Sequence, residues 1–120
     1  MIEVAPSAGA GRGVHALRAI ARGEVIESAP ALLVPKAESD DVLASFLEHY
    51  IFQTDDGRHY VIGLGFTSLV NHAQRPNAEF FVTTSRLTIV ARRAIKAGEE
   101  ITVDYGWTAR EWKRVGGRRG

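Results

Sequence analysis

The chain contains no cysteine. That excludes disulfides and any thiolate zinc centre. Four histidines (His15, His49, His59 and His72) show no close metal-ligand spacing, so no metal is expected. No apolar run approaches the roughly 20 residues that a membrane-crossing helix needs. Met1-Ile2-Glu3-Val4 lacks the basic and apolar regions of a signal peptide. Charge of one sign is also missing: 15 Lys and Arg stand against 14 Asp and Glu, a net +1. The chain as a whole has no electrostatic address, so neither a membrane nor direct nucleic-acid binding is expected. Together these absences predict a soluble intracellular protein.

What is present fits one domain. The 120 residues are 45% hydrophobic and 24% charged, ordinary values for a globular chain with a single core. Basic residues gather at the end: Arg110, Lys113, Arg114, Arg118 and Arg119, opposed by Glu111 alone. That tail either favours an acidic partner or is a solvated terminus with Gly116, Gly117 and Gly120 in it.

Short apolar runs predict strands at Ile2 to Val4, Val14 to Leu17, Glu24 to Glu27, Leu32 to Val34, Tyr60 to Ile62 and Ile101 to Val103. Glu79 to Thr83 and Leu87 to Ala91 predict a hairpin, though the turn near Thr84-Ser85-Arg86 is chemically weak. Between Pro6 and Gly13 the chain is too glycine-rich for helix or regular strand. One helix is predicted from the spacing of Val42, Leu43, Phe46, Leu47, Tyr50 and Ile51, with Ser39, Asp40 or Asp41 as its cap. A polar helix over Ala109 to Val115 is a second candidate. Arg18-Ala19-Ile20-Ala21-Arg22-Gly23-Glu24-Val25-Ile26 echoes Arg93-Ala94-Ile95-Lys96-Ala97-Gly98-Glu99-Glu100-Ile101, identical at six of nine positions. The echo predicts two similar corners in one β-rich fold.

Three segments carry chemistry. Gly9 to Gly13 precedes no helix, so a dinucleotide or P-loop site does not fit; its backbone groups could grip a polar ligand instead. Asn71-His72, followed by Pro76-Asn77, lies between apolar runs. It is either an Asx-type turn or a buried polar pair that needs partners in the protein or a ligand. Asp104-Tyr105-Gly106 closes the last strand, where a tyrosine hydroxyl is either fixed for a purpose or simply satisfied at the core edge. Glu99 reads as a residue of a solvated turn.

In this order, Gly11-x-Gly13, Asn71-His72-x-x-x-Pro76-Asn77 and Gly98-Glu99-Glu100-Ile101-Thr102-x-Asp104-Tyr105 resemble the SET-domain protein lysine methyltransferases. The resemblance covers Val4 to about Trp107 and is nearest to the minimal viral and bacterial members. It implies a mainly β fold (a β-clip of short strands with one or two short helices) and a C-terminal pseudoknot in which the chain end passes beneath an earlier loop. The implied SET domain is 1–107, with 108–120 a short basic segment that acts as lid or dimer contact.

The resemblance further implies S-adenosylmethionine as methyl donor and S-adenosylhomocysteine as product. Gly11, Arg12, Gly13, Asn71, His72 and Tyr105 would bind the cofactor. Tyr105 and Tyr50 would be catalytic. Tyr50, Phe80, Val103, Trp107 and Trp112 would line the substrate channel. The implied partner is a lysine-containing protein or peptide, histone or another basic protein, in the cytoplasm, nucleoid or chromatin. Many relatives complete the channel with a cysteine-rich rear segment. This chain has no cysteine, so Trp107, Trp112 or the second subunit of a homodimer would close it. A non-catalytic SET-like module that binds a peptide or ligand is the alternative.

Overall fold

The computed structural model describes residues 1–7 and 11–104. Its strands are β1 (Ile2–Ser7), β2 (Gly11–Ala16), β3 (Val25–Leu33), β4 (Ile51–Gln53), β5 (Tyr60–Gly63), β6 (Asn71–His72), β7 (Ala78–Val82), β8 (Arg86–Ala91) and β9 (Glu100–Val103). The helical part is α1 (Ser39–Leu43) and three 3₁₀ turns, Lys36–Glu38, Phe46–Tyr50 and Thr67–Leu69. The architecture is the expected mainly β one. Strands order as β1-β2-β9-β6 in one sheet and β4-β5-β3-β8-β7 in the other. β6 runs parallel to β9, and the remaining pairings are antiparallel. Alternate residues of both sheets meet in one core, with Val14, Val61, Leu87, Ile101 and Val103 at 0% exposure.

Three sequence expectations are corrected. First, Gly11 to Gly13 belongs to a strand, paired through Ser7–Gly11, Pro6–Arg12 and Ala5–Gly13. Backbone pairing with β1 supplies the order that the missing side chains cannot. Second, the single helix is broken. Ser45 adopts an extended backbone, and its hydroxyl accepts from Leu47 N–H at 3.2 Å while donating to Val42 C=O at 2.7 Å. Such local bonds compete with a continuous helix. No side chain caps α1; Asp40 and Asp41 lie in its first turn. Phe46 is left 74% exposed, so the apolar spacing there does not mark a buried face.

Third, the strands expected near Glu24 and Leu32 are one strand, β3, with an irregularity between Val25 and Glu27. Pro30 stands where β3 changes partner, from β8 on one side to β5 on the other. Of the two readings left open for Asn71-His72, the buried one holds: the pair is a buried strand. The weak hairpin turn is held by Thr83, whose hydroxyl accepts from Ser85 and Arg86 N–H groups. The candidate helix over Ala109 to Val115 and the chain end of the expected pseudoknot lie outside the described residues.

The internal echo is realised as two matching corners. In each, a glycine takes positive φ: Gly23 at 83° and Gly98 at 86°. Each arginine bonds the next residue's carbonyl and pairs with the corner glutamate: Arg18 with Ala19 and Glu24, Arg93 with Ala94 and Glu99. Each glutamate also accepts from a corner N–H, Glu24 from Ala21 and Glu99 from Lys96, both at 3.0 Å. Ile20 and Ile95 join the corners through an antiparallel bridge, and both are 1% exposed.

Glu99 is therefore not a residue of a merely solvated turn. The Arg93 guanidinium, reinforced by Lys96 N–H and the Asn77 amide, lowers its carboxyl from 4.5 to about 2. A depressed carboxylate contributes stability above its unfolded value, and that stability is lost as pH falls. We expect urea midpoints to drop between pH 4.5 and 2, with a shallower drop in Glu99→Gln. Equal pH slopes for the two proteins would refute this assignment.

Candidate functional site

The site grows from the neighbouring strands β2, β9 and β6. On β9, Ile101 and Val103 are fully buried, so alternation sends Glu100 and Thr102 to the opposite face. Val14 of β2 faces the core with Ile101, which leaves Gly13 and His15 on the Glu100 face. β6 lies parallel beside β9, with Asn71 opposite Thr102 and His72 opposite Val103. The two residues of the Asn-His pair thus turn to opposite faces.

Asn71 is 3% exposed. Its Nδ2 donates to Arg12 C=O and to Glu100 Oε2, both at 2.7 Å. Glu100 Oε1 accepts from Ser7 Oγ at 2.6 Å. A Cβ on Gly13 would overlap Glu100 Oε2 and come within 2.9 Å of Asn71 Nδ2. Gly13 is needed for space rather than for a special backbone angle, whereas Gly11 takes a φ of 74°. Asn71 Oδ1 is buried and has no hydrogen-bond partner among the described residues. His72 is 6% exposed, and its Nδ1 lies 3.8 Å from Asp104 Oδ1.

The structure therefore brings Gly13, the Arg12 carbonyl and Asn71 together, with Gly11 two residues along the same strand. It adds Glu100 and Ser7, which sequence reasoning missed. The period-2 pattern of Glu100-Ile101-Thr102-Val103 is the signal that could have found Glu100. Tyr50 ends a 3₁₀ turn, its ring edge-on to Phe46 at 6.3 Å and its carbonyl 3.1 Å from Ser68 Oγ. Phe80 packs edge-on against Phe52 with ring centroids 5.0 Å apart, and Val103 is in the core. Tyr105, Trp107 and Trp112 lie outside the described residues. No group of three metal-ligating side chains occurs among the described residues, and no described helix is long and apolar enough to cross a membrane.

Asn77 anchors the turn after β6. It is 2% exposed. Its Oδ1 accepts from Thr102 N–H at 2.9 Å, and its Nδ2 donates to Glu100 C=O at 2.7 Å and Glu99 Oε2 at 3.2 Å. Through these bonds the Arg93–Glu99 corner is tied to the strand that carries Glu100.

Residues 11–106 match the SET domain family, and the chain belongs to it. Histone-lysine N-methyltransferase set-2 of Caenorhabditis elegans is 32% identical over 118 residues, covering 88% of this chain and 8% of that protein. A Schizosaccharomyces pombe histone-lysine N-methyltransferase described as H3 lysine-37 specific is 29% identical over 109 residues. That alignment covers 88% of this chain and 73% of the yeast protein. The crystal structure of a candidate histone methyltransferase from Plasmodium falciparum superposes with a TM-score of 0.73 at 26% identity. The superposition covers 90% of this chain and 99% of that one.

Proposed function

We propose that this protein is an S-adenosylmethionine-dependent protein lysine N-methyltransferase acting on a histone or another basic protein. The observation that carries the proposal is the meeting of β2 and Asn71 in a chain that belongs to the SET domain family. The residues fit the cofactor. Asn71 Oδ1 is a buried acceptor in need of a donor, and Gly13 leaves the room in which Glu100 and Asn71 meet. Gly11, Arg12, Gly13, Asn71 and His72 would hold the cofactor. When bound, it supplies an electrophilic methyl group on a sulfonium sulfur.

The protein's own task is to bring a neutral lysine amine into line and exclude water. Free lysine has a pKa of roughly 10.4. An apolar channel and nearby positive charge both disfavour the ammonium form and lower that value. Tyr105 is assigned to orient the amine with its hydroxyl, and Tyr50 to assist it. Phe80, Val103, Trp107 and Trp112 are assigned to the channel. A homodimer that completes the channel belongs to the same reading, as does a boundary near residue 107 before the basic end.

The test is thermal. A ligand at a hundred times its Kd stabilises by about 2.7 kcal/mol, so saturating S-adenosylmethionine is expected to raise Tm by several degrees. No shift at millimolar ligand would overturn the proposal. Product number offers a second check. Phe80 lacks a hydroxyl, which leaves room for more than one methyl. Phe80→Tyr is expected to shift products toward monomethyl-lysine by mass spectrometry; an unchanged distribution would remove Phe80 from the channel.

A further inference from the structure

We infer that Glu100 is a positioning residue that fixes which end of the Asn71 amide the cofactor meets, and thereby makes the site select an ammonium-bearing ligand. The inference rests on the methyltransferase reading and adds to it the basis of ligand orientation. A side-chain amide has a donor end and an acceptor end, and its neighbours decide how it lies. Asn71 faces two groups that only accept, the Arg12 carbonyl and the Glu100 carboxylate, each 2.7 Å from Nδ2. Turning the amide over would set Oδ1 against both oxygens. Every backbone has a carbonyl at Arg12; Glu100 is the choice made by sequence.

Glu100 is itself held in place. Ser7 Oγ donates to its other oxygen at 2.6 Å, and the absent Gly13 side chain leaves room for its carboxylate. Among the described residues no Lys, Arg or His forms an ion pair with it. The carboxylate thus acts on the amide rather than on a protein cation. The consequence is that Asn71 Oδ1 is the unmet end, buried and without a hydrogen bond among the described residues. A buried acceptor left unsatisfied is costly, so the group that meets it must donate. The amino-acid portion of the cofactor has two polar ends. Its ammonium offers three N–H donors and positive charge; its carboxylate offers acceptors alone. Oδ1 beside the Glu100 carboxylate complements only the ammonium.

Calorimetry on the intact chain tests this with two unreactive probes. One is S-adenosylhomocysteine; the other is its analogue with hydrogen in place of the α-amino group. The wild type is expected to prefer the first by about tenfold or more, the value of one charge-assisted hydrogen bond. In Glu100→Gln an amide can donate to Asn71, so only the Arg12 carbonyl still opposes turning it over, and the preference should shrink to about threefold or less. A preference that stays near tenfold in Glu100→Gln overturns the inference, and so does a wild type that does not discriminate. If the wild type binds neither probe, the methyltransferase reading falls and this inference with it.

A compensating pair covers the case in which Glu100→Gln does not fold. Asn71→Asp alone sets two carboxylates against each other and should weaken S-adenosylhomocysteine binding tenfold or more. Adding Glu100→Gln replaces that repulsion by a donated hydrogen bond and should recover part of the affinity. No recovery in the double variant overturns the inference. A merely structural Glu100 would give additive losses and an unchanged preference between the two probes.

Discussion

Gly13→Ala is expected to weaken S-adenosylmethionine binding by roughly tenfold to hundredfold and to depress methyl transfer with it. The reason is spatial. The added methyl would overlap Glu100 Oε2 and press on Asn71 Nδ2 at 2.9 Å. To make room, the carboxylate must leave the position where it accepts from both Ser7 and Asn71. Asn71 is nearly fully buried, so water cannot readily replace the lost partner. Calorimetry and thermal melting should be read together. A variant that melts like wild type and binds like wild type would show that the Gly13–Glu100–Asn71 contact does not shape the site. Shortening the carboxylate in Gly13→Ala with Glu100→Asp relieves the overlap and should recover part of the stability.

Asn77→Ala is expected to have the largest effect on stability, about 3 kcal/mol, from stranding Thr102 N–H and Glu100 C=O. The residue is 2% exposed, so neither group gains a water partner without local opening. Losses of this size lower Tm by roughly 10 °C in a domain of this length. Glu99 also loses one of its donors, although Arg93 and Lys96 N–H remain. Because β9 carries both ends of this clamp and Glu100, cofactor affinity should fall together with Tm. A change in urea midpoint equivalent to less than about 1 kcal/mol would show that the turn is held by its backbone bonds alone.

Much of the site was legible in the sequence because its chemistry is local. Asn71 lies between apolar runs, so a buried polar group in need of partners was one of two readings, and it has two partners. The strands Val14 to Ala16, Ile101 to Val103 and the hairpin over residues 78–91 follow from alternation. What was not legible depended on tertiary partners. Gly11 to Gly13 forms a strand only because β1 lies beside it. Glu100 reads as one of two glutamates after a turn glycine until the start of β9 is known; a shift of one residue would send it to the core face. Ser7, 93 residues away in sequence, cannot be connected to Glu100 by any local rule. Ser45 broke the expected helix through a side-chain bond that apolar periodicity does not register.

The echo between the two corners shows the converse. Arg18–Glu24 and Arg93–Glu99 repeat the same bonds because the same residue types recur at the same spacing around a positive-φ glycine. Only the second corner is joined by Asn77 to the strand that carries Glu100. Local sequence specified the corner twice; tertiary placement gave one copy a link to the site.

The central claim, methyl transfer to lysine, is tested most directly by mass spectrometry. The protein would be incubated with isotope-labelled S-adenosylmethionine, a panel of histones and a cell lysate. We predict labelled methyl groups on lysine side chains, lost or strongly reduced with Tyr105→Phe and Asn71→Ala. Absence of label from every protein, despite a ligand-induced rise in Tm, would contradict the account and leave a binding module without turnover.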